Sequence, residues 1–350
     1  MVNIKRIHWL DWARSLAIVC VVFCHAIDHN FQFNMEYMSM ISMKMRIFAF
    51  LGLTLGRLGV PLFLFISGYL LLGRCYNTES CLHFWRKNFL CLFVTTELWI
   101  LLYNLFLMYF YHTQFSIKTY ILNVFFLKNV SLSHMWYMQM ILGIYLFLPF
   151  LSNLVQMFNE KILYIILGVL IFYGFFASDL NILCIAVWKE RLDIRVPEFL
   201  GGVYGVYLIL GYLVKKEIFN NIKKRYMIIV CVIAYLGAVW QQLYCYSKGV
   251  EYNIWYNNFC LLLYSFMIFL LIKYSLKTFY FQGVETFAKF AFGIYLIHNP
   301  IMIVFTKYYL ADNIYFKVLV SFSVALIGSY LIILFASKMG KIGKYLFMIK

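Results

Sequence analysis

"RIHWLDWARSLAIVCVVFCHAIDHN", residues 6–30, decides how this chain folds. From Ala13 to Ile27 nearly every residue is apolar, and about 20 such residues suffice to carry an α-helix across a bilayer. Yet the stretch holds Asp11, Arg14, His25 and Asp28. At 100° per residue these four fall at about 0°, 300°, 320° and 260°, on one face about 100° wide. Ile, Val, Leu and Phe fill the opposite face. A charge turned toward lipid costs several kcal/mol, so the polar stripe must look into a helix bundle or a watery cavity. Arg14 and His25 lie three turns apart, roughly 16 Å. Asp28, one turn beyond His25, is placed to orient its ring. The plainer alternative is an Asp11–Arg14 ion pair at the helix end, with His25 as a satisfied packing residue.

The rest of the chain agrees with a membrane protein. Of 350 residues, 64% are hydrophobic and 13% charged, and mean hydropathy is +0.82; soluble domains are nearer half apolar and a quarter charged. The pattern predicts an all-α polytopic bundle of about ten transmembrane helices, at 12–30, 51–73, 89–111, 135–156, 161–178, 197–214, 226–246, 254–274, 288–310 and 314–336. Residues 31–50 and 115–130 read as extra interfacial or re-entrant helices. The apolar runs are continuous rather than alternating, which excludes a transmembrane barrel. No loop exceeds about 25 residues, so the expectation is one integral membrane domain over 1–350, its chemistry done by helices and short loops. The basic leader resembles a signal anchor rather than a cleavable signal.

The net charge of +16 raises nucleic acid as a partner, but its distribution speaks against that. Assigning loops alternately places 18 Lys and Arg on the side of the N-terminus and 10 on the other, with Arg14 and Arg57 within the membrane. That bias puts both termini in the cytoplasm. The nine cysteines include no CxxC pair and read as small buried hydrophobes. No metal site is expected, and no P-loop, GxGxxG, GxSxG or HExxH motif occurs.

Further polar groups stand out in apolar runs. "GRLGVPLFLFISGYLLLGR" (56–74) carries Arg57, either functional or snorkelling to the outer interface. In "SHMWYMQMILGIYLFLPFLS" (133–152), His134 and Trp136 suit a site that stacks on a sugar ring, or an ordinary interfacial belt. Glu97, mid-span in "CLFVTTELWILLYN" (91–104), must be paired or protonated. Glu198, beside Pro197, and His298, in "FGIYLIHNP" (292–300), are candidates near helix ends.

Four stretches in order carry a resemblance: "LDWARSLAIVCVVFCH" (10–25), "RLGVPLFLFISGYLL" (57–71), "HMWYMQMILGIYLFLPFL" (134–151) and "FAFGIYLIHNPI" (290–301). The chain resembles acyltransferase family 3, integral membrane O-acyltransferases marked by Arg, ten residues, then His. Within the family it looks most like the branch that O-acetylates an enterobacterial surface antigen. The resemblance implies transfer of an acyl group from cytoplasmic acyl-CoA, usually acetyl-CoA, to a hydroxyl of a cell-envelope polysaccharide or lipid-linked sugar, in a bacterial inner membrane. It implies His25 as the catalytic base and Arg14 as the family's arginine. A transient acyl-histidine is the variant. Asp28 then steadies the imidazolium, and Arg57, His134, Trp136 and Glu97 face the substrates. Arg14, Arg86, Lys87 and Asp11 belong at the CoA end. Many members carry RxxR after the second helix; here Arg86 and Lys87 are followed by Phe89 where the second Arg falls. Two other readings stay open. One is an exporter or flippase of a glycan or lipid. The other is an enzyme with a succinyl or different acyl donor.

Overall fold

The computed structural model describes residues 6–128, 132–192, 202–309 and 312–349. Among these residues nine helices are long and apolar enough to cross a membrane. They are α1 (His8–Asn30), α2 (Met43–Leu71), α3 (Thr78–Tyr111), α4 (Ser133–Met157), α5 (Glu160–Trp188), α7 (Lys224–Ser247), α8 (Phe259–Leu276), α9 (Gln282–Tyr308) and α10 (Ile314–Lys338). The shorter apolar α6 (Gly202–Lys215) completes ten. No strand occurs among the described residues. The protein is an all-α, multi-pass membrane bundle.

Several boundaries differ from those the sequence suggests, each for a physical reason. The run at 51–73 begins eight residues earlier, at Met43. Its polar start is tied down, because Arg46 donates to the Ile41 and Ser39 carbonyls at 3.2 and 3.1 Å. Only Met35–Met40 remains as a separate short helix from the expected 31–50 element. Among the described residues of 115–130, Ile117–Val124 is the helical part. The run at 161–178 continues to Trp188 because Asp179, which reads as a stop, is satisfied. It accepts from Asn258 Nδ2 at 3.0 Å and from the Phe259 amide at 2.9 Å. Helix α6 is described from Gly202 to Lys215, and Glu198 lies outside the described residues. Cys75 and Cys91, taken as buried hydrophobes, are exposed.

Helix α1 is the central post, packing against α2, α8, α9 and α10. We call the end of the bundle at His8 the near face and the end at Asn30 the far face. At the near face, lysines cap last-turn carbonyls, where cations are favoured: Lys273 Nζ donates to Val214 O at 2.8 Å and Lys215 Nζ to Leu72 O at 3.2 Å.

Proline shapes the two helices that flank the active half of α1. Pro61 has no N–H for the Arg57 carbonyl, four residues back, and α2 breaks there into Met43–Gly56 and Gly59–Leu71. Gly56 and Gly59 lie against α1 so closely that a Cβ on either would meet the backbone of Cys24 or Ala17. The break therefore delivers Arg57 to the level of His25 and Asp28. Pro300, inside α9, likewise frees the Leu296 carbonyl.

Candidate active site

Two cavities flank the α1 stripe. The near one, about 550 Å³, is lined by Arg6, Arg14, Ser67, Asn88, Tyr145 and Lys289 among others. The far one is smaller, about 70 Å³, and its lining includes His25, Arg57, His134, Trp136, Tyr256 and Tyr295. Phe63, Tyr137 and Phe292 line both. Three aromatic side chains thus stand between a cationic chamber and His25.

In the near chamber Asp11 is buried and takes two arginines. Arg6 Nε donates to its Oδ2 at 2.8 Å, and Arg14 Nη1 to its Oδ1 at 2.9 Å. The bond from Arg6 to Asp11, with the charge of Glu285 nearby, holds the Arg6 guanidinium above its ordinary pKa. Lys289 pairs with Glu285 at 2.8 Å. The Asp11–Arg14 ion pair exists, and it leaves Arg14 lining the chamber. Arg86 and Lys87 sit in the π-helical turn Trp85–Phe89 with exposed side chains. Neither lines the chamber; their neighbour Asn88 does.

Three histidines meet at the far cavity. The His25 ring centroid is 5.2 Å from that of His298 and 6.0 Å from that of His134. They are not equivalent. The His25 side chain is 16% exposed, whereas His134 and His298 are 1% and 0%. His134 is also fully occupied. The Tyr103 hydroxyl gives its proton to the Leu296 carbonyl that Pro300 freed, so it must accept from His134 Nε2, 3.2 Å away. Asn299 Nδ2 donates to His134 Nδ1 at 2.8 Å, and Asn299 Oδ1 accepts from His29 Nε2 at 2.8 Å. Tyr295 caps the His134 carbonyl at 2.6 Å. With both ring nitrogens engaged, His134 offers substrate a ring surface and no free hydrogen-bonding group. His298 Nδ1 donates to Ile294 O at 3.0 Å.

That chain makes a prediction. Asn299→Leu keeps the volume and orphans His29 and His134, each at a cost of about 1–3 kcal/mol. Thermal unfolding in detergent should fall clearly; an unchanged midpoint would show the chain does not hold the site.

Asp28 lies between two partners, its Oδ2 3.9 Å from both His25 Nδ1 and Arg57 Nη2. It therefore acts on His25 through charge rather than a hydrogen bond. Arg57 is 11% exposed, and its Cζ lies 4.6 Å from the Trp255 ring centroid. Glu97 lines neither cavity, and both its carboxylate oxygens are buried without a hydrogen bond among the described residues.

An accessible imidazole, a neighbouring cation and a separate basic chamber, all along one polar helix face, are laid out for group transfer. A family model described as an acyltransferase domain matches residues 7–337. The chain belongs to acyltransferase family 3. No curated protein and no solved structure matches it. As a family 3 acyltransferase it takes an acyl donor and an acceptor, and the match takes in the whole lining of the far cavity and all of the near one but Arg6 and Met348.

Sequence reasoning missed His29, Tyr103, Asn299, Tyr295, Tyr256 and Trp255. Only Pro300 carried a signal for any of them: a proline four residues after Leu296 leaves a carbonyl needing a donor. Trp255 and Tyr256 lie in the far-face loop before α8, where aromatic residues read as belt.

Proposed function

We propose that this protein is an O-acetyltransferase of a bacterial inner membrane. It moves an acetyl group from cytoplasmic acetyl-CoA to a hydroxyl of an envelope glycan or lipid-linked sugar. The near face is cytoplasmic, as the Lys and Arg bias suggests. The observation that carries the reading is the pair of cavities sharing Phe63, Tyr137 and Phe292. The anionic end of the donor stays in the larger chamber with Arg14 and Lys289, and the thin pantetheine arm passes the three aromatics toward His25.

In the reaction His25 takes the proton of the acceptor hydroxyl as its oxygen attacks the thioester carbon. A C–O bond forms, the C–S bond breaks, and His25 returns the proton to the departing CoA sulfur. Arg57 places a cation beside the carbonyl oxygen as it becomes negative. Asp28 balances the transient imidazolium. Arg86 and Lys87 act, at most, outside the chamber on the nucleotide end.

The test is reconstitution of the purified protein in liposomes with labelled acetyl-CoA and an acceptor glycan. Label passing to the glycan supports the enzyme; glycan crossing the bilayer with acetyl-CoA untouched supports the exporter. Running succinyl-CoA in parallel reads the acyl preference. Arg14→Gln should raise the KM for acetyl-CoA by about tenfold or more, the worth of one charged hydrogen bond, with kcat less affected. An unchanged KM removes Arg14 from the donor site.

A further inference from the structure

The far cavity opens beside an aromatic group that no step above uses. Trp136 lies 5.2 Å from Trp255, 5.3 Å from Tyr256 and 6.0 Å from Tyr204, centroid to centroid. Trp255 and Tyr256 are 5.0 Å apart. Two of the four, Trp136 and Tyr256, also line the cavity that holds His25, which a lipid-facing belt does not do. Trp255 is 40% exposed in the far-face loop, with the Arg57 guanidinium against its ring.

We propose that this cluster is the acceptor subsite and that it holds the sugar ring by stacking. The inference rests on the acyl-transfer reading and adds to it the residues that hold the acceptor. The carbon face of a pyranose is apolar and its rim is hydroxyls, so one face stacks on Trp255 and Trp136 while the rim turns to polar groups. The polar group on hand is Arg57 Nε, buried with no hydrogen-bond partner among the described residues, an arrangement that costs free energy until a ligand oxygen accepts from it. The ring so held presents its hydroxyl on the side of His25.

The experiment uses the full chain in nanodiscs. The probe is a fluorophore-labelled oligosaccharide released from the host's envelope polysaccharide and deacetylated with mild base. Binding is followed by fluorescence polarisation. Trp255→Ala should weaken binding by about tenfold, the worth of one aromatic contact. Trp255→Phe should recover most of it. Acetyl-CoA binding should not move in either Trp255 variant. No saturable binding by the wild-type protein, full binding by Trp255→Ala, or Trp255→Phe as weak as alanine overturns the subsite. Saturable, Trp255-dependent binding with no acetyl transfer by the wild type would sink the acetyltransferase reading instead and leave the subsite standing.

Discussion

His25→Ala should abolish acetyl transfer while the protein still inserts and unfolds at the wild-type temperature. A positioned general base contributes about 10²–10⁴ in rate, and nothing else in the far cavity can take over. His134 has both ring nitrogens committed to Tyr103 and Asn299. His298 is wholly buried. Asp28 lies 3.9 Å from the His25 ring and does not line the far cavity. The fold should be spared because the His25 ring makes no hydrogen bond among the described residues that its loss would orphan. His25→Gln separates roles, since it keeps a polar group of similar reach without a titratable base, and it should be as inactive as alanine. Labelled acetyl-CoA turnover in liposomes measures rate, and protease resistance measures folding. Either variant retaining a tenth of wild-type turnover removes His25 as the base. Acid quenching during turnover separates direct attack from the acyl-histidine variant: label held on wild-type protein but absent from His25→Ala favours the covalent route.

The polar stripe of α1 was legible because two strong constraints coincide there. Helical period places Asp11, Arg14, His25 and Asp28 on one side, and lipid forbids that side to face outward. The ten helices were legible for the same reason, as length and apolarity are nearly sufficient in a bilayer. Less readable were boundaries at which a polar residue is satisfied from afar. Asp179 ends an apolar run on paper, yet Asn258 and the Phe259 amide, some eighty positions on, let the helix pass through it. The role of His134 was opaque on the same ground. Its neighbours in sequence suggest a surface for substrate, and only the arrival of Tyr103 and Asn299 shows its nitrogens to be spent. Glu97 illustrates the reverse: a mid-span carboxylate reads as a site residue, and the fold leaves it away from both cavities.

The second large effect concerns the joint between α2 and α6. Gly211→Val should destabilise the bundle by about 3 kcal/mol or more. The two helices cross through a reciprocal pair of glycines. A Cβ at Gly68 would fall on the Leu208 carbonyl, and one at Gly211 on the Phe65 carbonyl. Backbone atoms cannot turn aside as a side chain can, so the helices must move apart and lose packing along their length. That matters more here than at most crossings. Among the described residues of helix α6, every one from Gly205 to Val214 is buried. Membrane helices gain little from leaving lipid for one another, so close approach through small residues is what holds them. The Gly- and Tyr-rich composition of α6 is thus what fits it for the interior. Gly143→Ala and Gly168→Ala are the controls, since nothing lies within 4 Å of a Cβ at either position; both should be neutral. Gly68→Ala and Gly211→Ala together should cost less than the sum of the single changes, because helices already forced apart accommodate the second methyl. Thermal unfolding in detergent measures all of these, and a Gly211→Val protein melting with the wild type would mean that α6 is not clamped at this crossing.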